Sequence, residues 1–444
     1  MRRTLRHPVR LVPLAFLGAI ALGTAVLMLP VCWEQPGPAP LLTALFTATS
    51  AVSVTGLSAV DTRSSWSDPG LVMIALLTQL GGFGILALAS LLGLVVSQRL
   101  GLRNRALLAA ESAELAKGDV RWLLLRIGQT VLITEALMTL VLAVRFWSAY
   151  DYPPSRALGY AVFHAVQGFN NGGFSLYPDS LARFAGDPWI CLPLAAGGII
   201  GGLGFPALFE AARRWRRPGR WTVATKLTIW GSLTLLVVGF VGILVIEWGN
   251  PRTLGPFGWP QKLLAAFTQD AMIRTGGFST INIDAMNEGS YPFFIGLMFI
   301  GGGSASTAGG IKVSTFFLLA FCIWAELRGD PDVVVGRRRI AEASQRQALT
   351  VALLSVALVV IGTFVMIVTT RDLQFYQALF QVVSAFSTTG LSLSPAAATP
   401  IPDQIVLIML MYIGRIGTIA VGSAIALNTR QRHFRYPKEQ PIVG

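Results

Sequence analysis

The chain has 444 residues, of which 53% are hydrophobic and 13% charged, and its mean hydropathy is +0.61. Soluble domains carry about 25% charge, so this composition excludes an ordinary soluble enzyme or binding module and puts the core in a bilayer. The net charge of +13 does not indicate nucleic-acid binding, because the basic residues cluster between apolar runs as they do in membrane proteins.

In chain order, Arg2, Arg3, Arg6 and Arg10 precede an apolar run over residues 11–31. At about 20 residues it exceeds the apolar part of a secretory signal, no small-x-small cleavage site follows, and it reads as a first span. Leu29-Pro30-Val31-Cys32 lacks the small residue expected before a lipoprotein cysteine. A second run, 41–54, is too short to cross a bilayer. It leads into Val54-Thr55-Gly56-Leu57-Ser58, a short turn at 61–69 and a returning span at 70–96.

The same grammar recurs. A span at 122–144 is followed by a short run at 157–169, Asn171-Gly172-Gly173-Phe174-Ser175 and a span at 188–212. Next come 223–247, the short run 261–273, Thr275-Gly276-Gly277-Phe278-Ser279 and 291–324. Last are 348–369, 376–386, Ser387-Thr388-Thr389-Gly390-Leu391-Ser392 and 402–427. Gly56, Gly173, Gly277 and Gly390 thus repeat at roughly 110 residues. The repeats occupy 1–100, 101–219, 220–340 and 341–444, the last with a C-terminal tail.

Basic residues fill the loops between repeats: Arg99, Arg103, Arg105, Lys117 and Arg121; Arg213, Arg214, Arg216, Arg217, Arg220 and Lys226; Arg328, Arg337, Arg338, Arg339 and Arg346; then Arg430, Arg432, Arg435 and Lys438. The positive-inside rule places these loops and both termini in the cytoplasm. The outer segments are richer in acids (Glu34, Asp61, Asp68, Asp151, Asp179, Asp187, Glu247, Asp284, Glu288, Asp372, Asp403), which reads either as a cation-concentrating mouth or as solvated loop charge. Cys32, Cys191 and Cys322 form no framework and no metal-site spacing.

The expected fold is all-α and integral to the membrane: four parallel span–pore-helix–loop–span repeats with pseudo-fourfold symmetry around a central pore, as in potassium channels. A cation entering hydrocarbon must exchange its water for backbone carbonyls. Glycine supplies the positive-φ conformations that aim them inward, and each half-helix would present its partly negative C-terminal end to the ion. Irregular backbone at membrane depth is tolerated where it lines a path. The expected filter residues are Val54, Thr55 and Gly56; Asn171, Gly172 and Gly173; Thr275, Gly276 and Gly277; Thr388, Thr389 and Gly390.

The segments Ala48–Leu57, Phe163-His164-Ala165 with Phe169–Ser175, and Arg274–Phe278 resemble the filter segments of the Ktr/Trk/HKT superfamily of potassium transporters, most closely the bacterial Ktr-type membrane subunit. The resemblance runs over nearly the whole chain. Trk members carry an additional pair of N-terminal spans, and here the first repeat begins almost at once, which favours Ktr. Glycine at all four aligned positions is similar to potassium-selecting members. The resemblance implies potassium uptake across the cytoplasmic membrane, K+ bound in the filter, and no organic cofactor in this chain, with Na+ dependence left open. It implies a homodimer and a peripheral ring of Rossmann-type regulatory subunits binding ATP, ADP or NAD. The basic loops would dock that ring or hold anionic membrane lipid.

The second span of repeat three is interrupted by Gly301–Lys312, a composition no helix favours. It reads as an irregular loop beneath the filter, able to block the path, or as a kink between packed helices. The resemblance to the family's GGxxxSTAGGIKV segment makes Gly302, Gly303, Ser304, Ser306, Thr307, Gly309, Gly310 and Lys312 the intramembrane gate. Arg415, in mid-span, is a functional residue by default, placed to repel a cation or to hydrogen-bond the gate carbonyls. Glu135 reads as a buried structural partner or a protonated acid, and His164 as packing. Asp270 and Arg274, four apart, are placed to pair, and Gly81–Gly84 with Gly201–Gly204 to pack helices closely. The competing class is a secondary carrier built on broken helices for another cation or small solute. No constellation of catalytic residues suggests an enzyme.

Overall fold

The computed structural model describes residues 8–99, 120–370, 372–393 and 400–427, with side chains over 13–84, 124–370, 372–393 and 400–417. Arg2, Arg3, Arg6, Arg103, Arg105, Lys117, Arg430, Arg432, Arg435 and Lys438 lie outside the described residues.

Helices dominate, in the order α1 (Pro8–Leu27), α2 (Leu41–Ser53), α3 (Thr62–Ser65), α4 (Asp68–Arg99), α5 (Val120–Tyr150), α6 (Pro154–Asn170), α7 (Pro188–Leu203), α8 (Phe205–Arg213), α9 (Val223–Glu247), α10 (Trp259–Ile273), α11 (Ser290–Phe299), α12 (Val313–Arg328), α13 (Glu342–Thr369), α14 (Phe375–Phe386) and α15 (Ile401–Leu427). A two-residue hairpin, β1 (Val334–Val335) and β2 (Arg338–Arg339), precedes α13. The four short apolar runs of the sequence are α2, α6, α10 and α14, with ends within three residues of the expected ones. Among the described residues, Leu124–Tyr150, Val223–Glu247 and Glu342–Thr369 are long and apolar enough to span a bilayer unbroken.

The short helices and the helices that follow them pack in a closed circuit: α2 on α4, α4 on α6, α6 on α7, α7 on α10, α10 on α11, α11 on α14, α14 on α15, and α15 back on α2. Outside it, α1, α5, α9 and α13 each lie against the short helix of their own unit. Glycine makes this circuit possible where a helix must touch main chain. A Cβ on Gly81 would sit 2.1 Å from the Val52 carbonyl oxygen, on Gly201 2.1 Å from that of Phe169, and on Gly414 1.8 Å from that of Phe386. In each case the second span rests directly on the last turn of the short helix.

Residues 188–212 are not the single span expected. The helix breaks at Gly204 (φ 85°, ψ 139°), and α7 and α8 meet at 99°. Pro206 explains the break: it has no N–H to give the Gly202 carbonyl one turn back, and its ring disfavours helical backbone before it. Gly81, Gly82 and Gly201 do pack closely, as expected, while a Cβ on Gly202 would meet only Asn171 Nδ2 at 3.8 Å, Gly204 is the hinge and Gly84 has nothing within 4 Å of a Cβ.

Gly414→Val forces a branched side chain against the Phe386 main chain and should cost about 1–3 kcal/mol, the usual penalty of overpacking. Thermal unfolding in detergent should show a lower midpoint for this variant and an equal or slightly higher one for Gly18→Ala, whose Cβ would meet nothing within 4 Å in a helix interior that favours alanine.

Candidate functional site

Each short helix ends in a turn that reverses the chain towards the centre of the circuit. Val54 (φ 57°), Asn171 (φ 62°) and Thr388 (φ 51°) are left-handed, and Thr275 takes φ 147°. The following glycines all have positive φ: Gly56 at 89°, Gly173 at 70°, Gly277 at 72° and Gly390 at 91°. In three loops the residue before the glycine closes the helix end, Thr55 N–H donating to the Ser50 carbonyl at 2.8 Å, Gly172 to Gln167 at 2.7 Å and Thr389 to Ser384 at 2.8 Å. This is the pattern of helix termination through a left-handed residue. The Ser50 and Ser384 hydroxyls then accept the N–H of Gly56 at 3.0 Å and of Gly390 at 3.1 Å. The third loop differs, Gly276 and Gly277 both donating to the Met272 carbonyl at 2.7 and 3.2 Å.

The loops meet one another. A Cβ on Gly56 would lie 2.3 Å from the Gly172 carbonyl oxygen, on Gly173 2.8 Å from Gly277 Cα, on Gly277 2.6 Å from the Thr389 oxygen, and on Gly390 2.1 Å from the Thr55 oxygen. The first loop therefore touches the second, the second the third, the third the fourth, and the fourth the first. The carbonyls of Thr55, Gly172, Gly276 and Thr389 all crowd these glycines. Among the described residues none of the four accepts a hydrogen bond. Buried carbonyls without donors are costly, and a partly dehydrated cation is the species that would satisfy several at once. Buried Leu57, Phe174, Phe278 and Leu391 anchor the loops from behind.

Below the loops, the interruption between α11 and α12 folds as a compact excursion. Gly301 N–H donates to Ile311 O at 2.8 Å and Val313 N–H to Gly302 O at 3.0 Å, which closes its neck. The Lys312 ammonium returns to the Ala308 carbonyl at 2.6 Å, and Ser306 Oγ donates to Gly303 O at 2.7 Å. The excursion pairs with the α7–α8 break: Gly303 N–H donates to Gly202 O at 2.8 Å, Thr307 N–H to Gly201 O at 3.1 Å, and Phe205 N–H to Ala305 O at 3.3 Å. It also abuts the fourth glycine loop, a Cβ on Gly309 meeting Thr388 Oγ1 at 2.2 Å, and one on Gly310 meeting Ser387 Oγ at 3.2 Å. Ser304 is exposed. Arg415 is 1% exposed and donates to the Thr307 main-chain carbonyl and, at 3.2 Å, to that of Gly81. Of its two expected roles, contact with these carbonyls is the one the geometry contains.

The remaining candidates divide. Glu135 is a buried structural partner, accepting from Asn170 Nδ2 at 3.0 Å and Gln79 Nε2 at 3.3 Å. His164 packs among Tyr160, Tyr177 and Phe278, with Nδ1 at 2.8 Å from the Tyr160 carbonyl. Asp270 and Arg274 do not form the expected contact pair. Arg274 caps the helix rather than continuing it, so the four-residue spacing no longer aligns them, and its guanidinium donates to Ser232 O at 2.7 Å. The Asp270 carboxylate is buried without a hydrogen bond. Several outer acids are structural: Asp187 binds Arg145 at 2.7 Å, Glu247 accepts from Asn250 at 2.7 Å and Thr253 at 2.6 Å, and Asp403 from Thr370 at 2.6 Å. These three are buried ties between segments, which corrects the reading of them as a charged mouth. Among the described residues no group of three or more His, Cys, Asp or Glu is placed to hold a metal ion.

Residues 20–433 match the family model described as TrkH, cation transport protein. The chain belongs to the TrkH family of cation transport proteins. It is therefore a membrane protein. Within the family, it is 35% identical to Ktr system potassium uptake protein B of Bacillus subtilis, over 98% of this chain and 97% of that one. It is 33% identical to the protein of the same name from Vibrio alginolyticus, over 98% and 94%. Potassium/sodium uptake protein NtpJ of Enterococcus hirae is 29% identical over 98% of this chain and 97% of that one. The fold matches the crystal structure of the potassium transporter TrkH from Vibrio parahaemolyticus, with a TM-score of 0.69 and 21% identity over 95% of this chain and 84% of that one.

In this TrkH-family chain, the two serine hydroxyls behind Gly56 and Gly390 escaped the sequence reading, because a serine in a short apolar helix carries no distinguishing signal. Ser384→Ala leaves the Gly390 N–H unpaired at a cost of about 1–3 kcal/mol. A melting curve of the purified protein in detergent should drop relative to wild type, and Ser384→Thr should restore part of the loss.

Proposed function

We propose that this chain is the pore subunit of a potassium uptake system of the Ktr type, in which K+ passes between the main-chain oxygens of residues 54–56, 171–173, 275–277 and 388–390. The observation that carries this reading is the cyclic contact of four glycine loops around carbonyls that have no donors among the described residues. It suits four span–pore-helix–loop–span repeats in pseudo-fourfold arrangement, with the C-terminal ends of α2, α6, α10 and α14 directed at the ion. The names of the Bacillus and Vibrio relatives supply potassium, and that of the Enterococcus relative supplies sodium as a second cation. K+ is cargo here, held by the filter oxygens in transit, and Na+ is a competitor or co-substrate.

The excursion at 302–312 acts as the gate, held shut by Arg415. The chain lies in the cytoplasmic membrane with both termini inside, assembles as a homodimer, and takes its regulation from a cytoplasmic partner with nucleotide-binding domains. Arg213, Arg214, Arg216, Arg217 and Arg220 lie on the face that such a partner, or anionic lipid, would cover.

Uptake of rubidium or potassium into proteoliposomes tests the reading. Gly390→Ser puts a side chain at φ 91° and 2.1 Å from the Thr55 oxygen. The added Cβ must push the Thr55 oxygen away, and loss of one carbonyl contact to the ion at about 1–3 kcal/mol should lower the apparent K+ affinity roughly tenfold and shrink the preference over Na+. Arg415→Gln should raise the uptake rate by freeing the gate. Absence of K+ flux in wild type, with transport of an organic solute instead, would favour a carrier.

A further inference from the structure

Asn171 occupies two places at once. Its backbone is the left-handed residue that turns the second glycine loop inward, and its side chain reaches out of the filter into the gate excursion. Both hydrogens of its amide are used: Nδ2 donates to Thr307 Oγ1 at 2.7 Å and to the Gly198 carbonyl at 3.2 Å. The neighbouring Asn170 is fixed from the other side. Its Nδ2 lies 2.7 Å from Gln79 Oε1 and 3.0 Å from Glu135 Oε1, and Gln79 Nε2 closes the triangle on Glu135 Oε2 at 3.3 Å. A buried carboxylate and two amides thus clamp the last turn of α6, one residue before the filter.

Thr307 is the opposite node. Its N–H is on Gly201, its carbonyl takes Arg415, its hydroxyl takes Asn171, and it is fully buried. Arg415 runs on to the Gly81 carbonyl, two residues along α4 from Gln79. The path Gln79–Asn170–Asn171–Thr307–Arg415–Gly81 is a closed loop of contacts through the filter, the gate excursion and two flanking helices.

We infer that Asn171 is a positioning residue that couples the filter to the gate through the Thr307 hydroxyl, so that moving the gate excursion alters cation selection in the filter. This rests on the reading of 302–312 as the gate. The physical reason is the accounting of the Asn171 amide. When Thr307 withdraws, one buried N–H loses its acceptor, and the loop can satisfy it only by turning Asn171 and with it the Gly172 carbonyl. Coupling of this kind is reciprocal: an ion that fits the ordered filter favours the closed gate.

The test uses the full chain in proteoliposomes, reading rubidium uptake, its KM and its inhibition by sodium. Thr307→Val is close in size, removes the hydroxyl acceptor and leaves the main-chain carbonyl for Arg415. The inference expects both a higher maximal rate and a change of about fivefold in rubidium KM or sodium inhibition, the equivalent of one hydrogen bond. Thr307→Ser should restore wild-type behaviour. Asn171→Gly, which keeps the left-handed backbone at no steric cost and removes the amide donor, should match Thr307→Val, and the double variant should add nothing. If the rate rises while KM and sodium inhibition stay at wild-type values, the gate reading stands and the coupling is wrong. If neither the rate nor selectivity responds, even when residues 302–310 are shortened, the gate reading itself falls.

Discussion

The structure depends on main chain approaching main chain where four loops converge. At Gly56, Gly277 and Gly390 the place of a Cβ is taken by a carbonyl oxygen from another loop, and at Gly173 by the Cα of Gly277. Only glycine combines that absence with a positive φ at little cost. The rest of the circuit serves this approach. The short helices stop through left-handed Val54, Asn171 and Thr388, and Gly81, Gly201 and Gly414 let the following helices press against those ends. Small residues at such contacts are the means by which helices pack in a membrane, where apolar burial offers no advantage over lipid.

Two irregular segments solve each other's hydrogen-bond problem. Pro206 deprives the Gly202 carbonyl of its helical donor, and the Phe205 N–H leaves Gly201 for Ala305. The excursion between α11 and α12, which has N–H groups and no helix of its own, supplies Gly303 and Thr307 to those two carbonyls. Backbone groups left unpaired here would cost several kcal/mol each, so neither break is stable without the other. Arg415 adds a charged donor to the same junction. Its own burial is tolerable because it meets two carbonyls rather than lipid. The junction is held by main-chain hydrogen bonds on glycine-rich backbone, with Phe205, Ile300 and Val313 packed into the apolar core on either side.

Much of the fold was legible in the sequence. The four short helices fall where the alternation of long and short apolar runs puts them, since bilayer thickness sets run length, and the Gly301–Lys312 interruption falls where its glycines disfavour helix. Gly201-Gly202-Leu203-Gly204 reads as a packing face, and the structure breaks the helix at Gly204 instead. Pro206 was the overlooked signal, visible two residues on. Asp270 and Arg274 were expected to pair by helical spacing, which fails once the helix ends before Arg274. The acids Asp187, Glu247 and Asp403 looked like solvated charge, and their burial depends on loops whose course the sequence does not reveal. The Asn171–Thr307 contact joins residues 136 apart, and nothing local in either segment announces it.

The proposed pore requires the four carbonyls ahead of Gly56, Gly173, Gly277 and Gly390 to form one cation site. Crystals or frozen grids of the protein in rubidium or thallium would test it most directly. Heavy-ion density is expected on the axis between the oxygens of Thr55, Gly172, Gly276 and Thr389, weakened when Na+ replaces the heavier ion. Ordered loops with no density between those oxygens, or a cation bound elsewhere in the circuit, would contradict it.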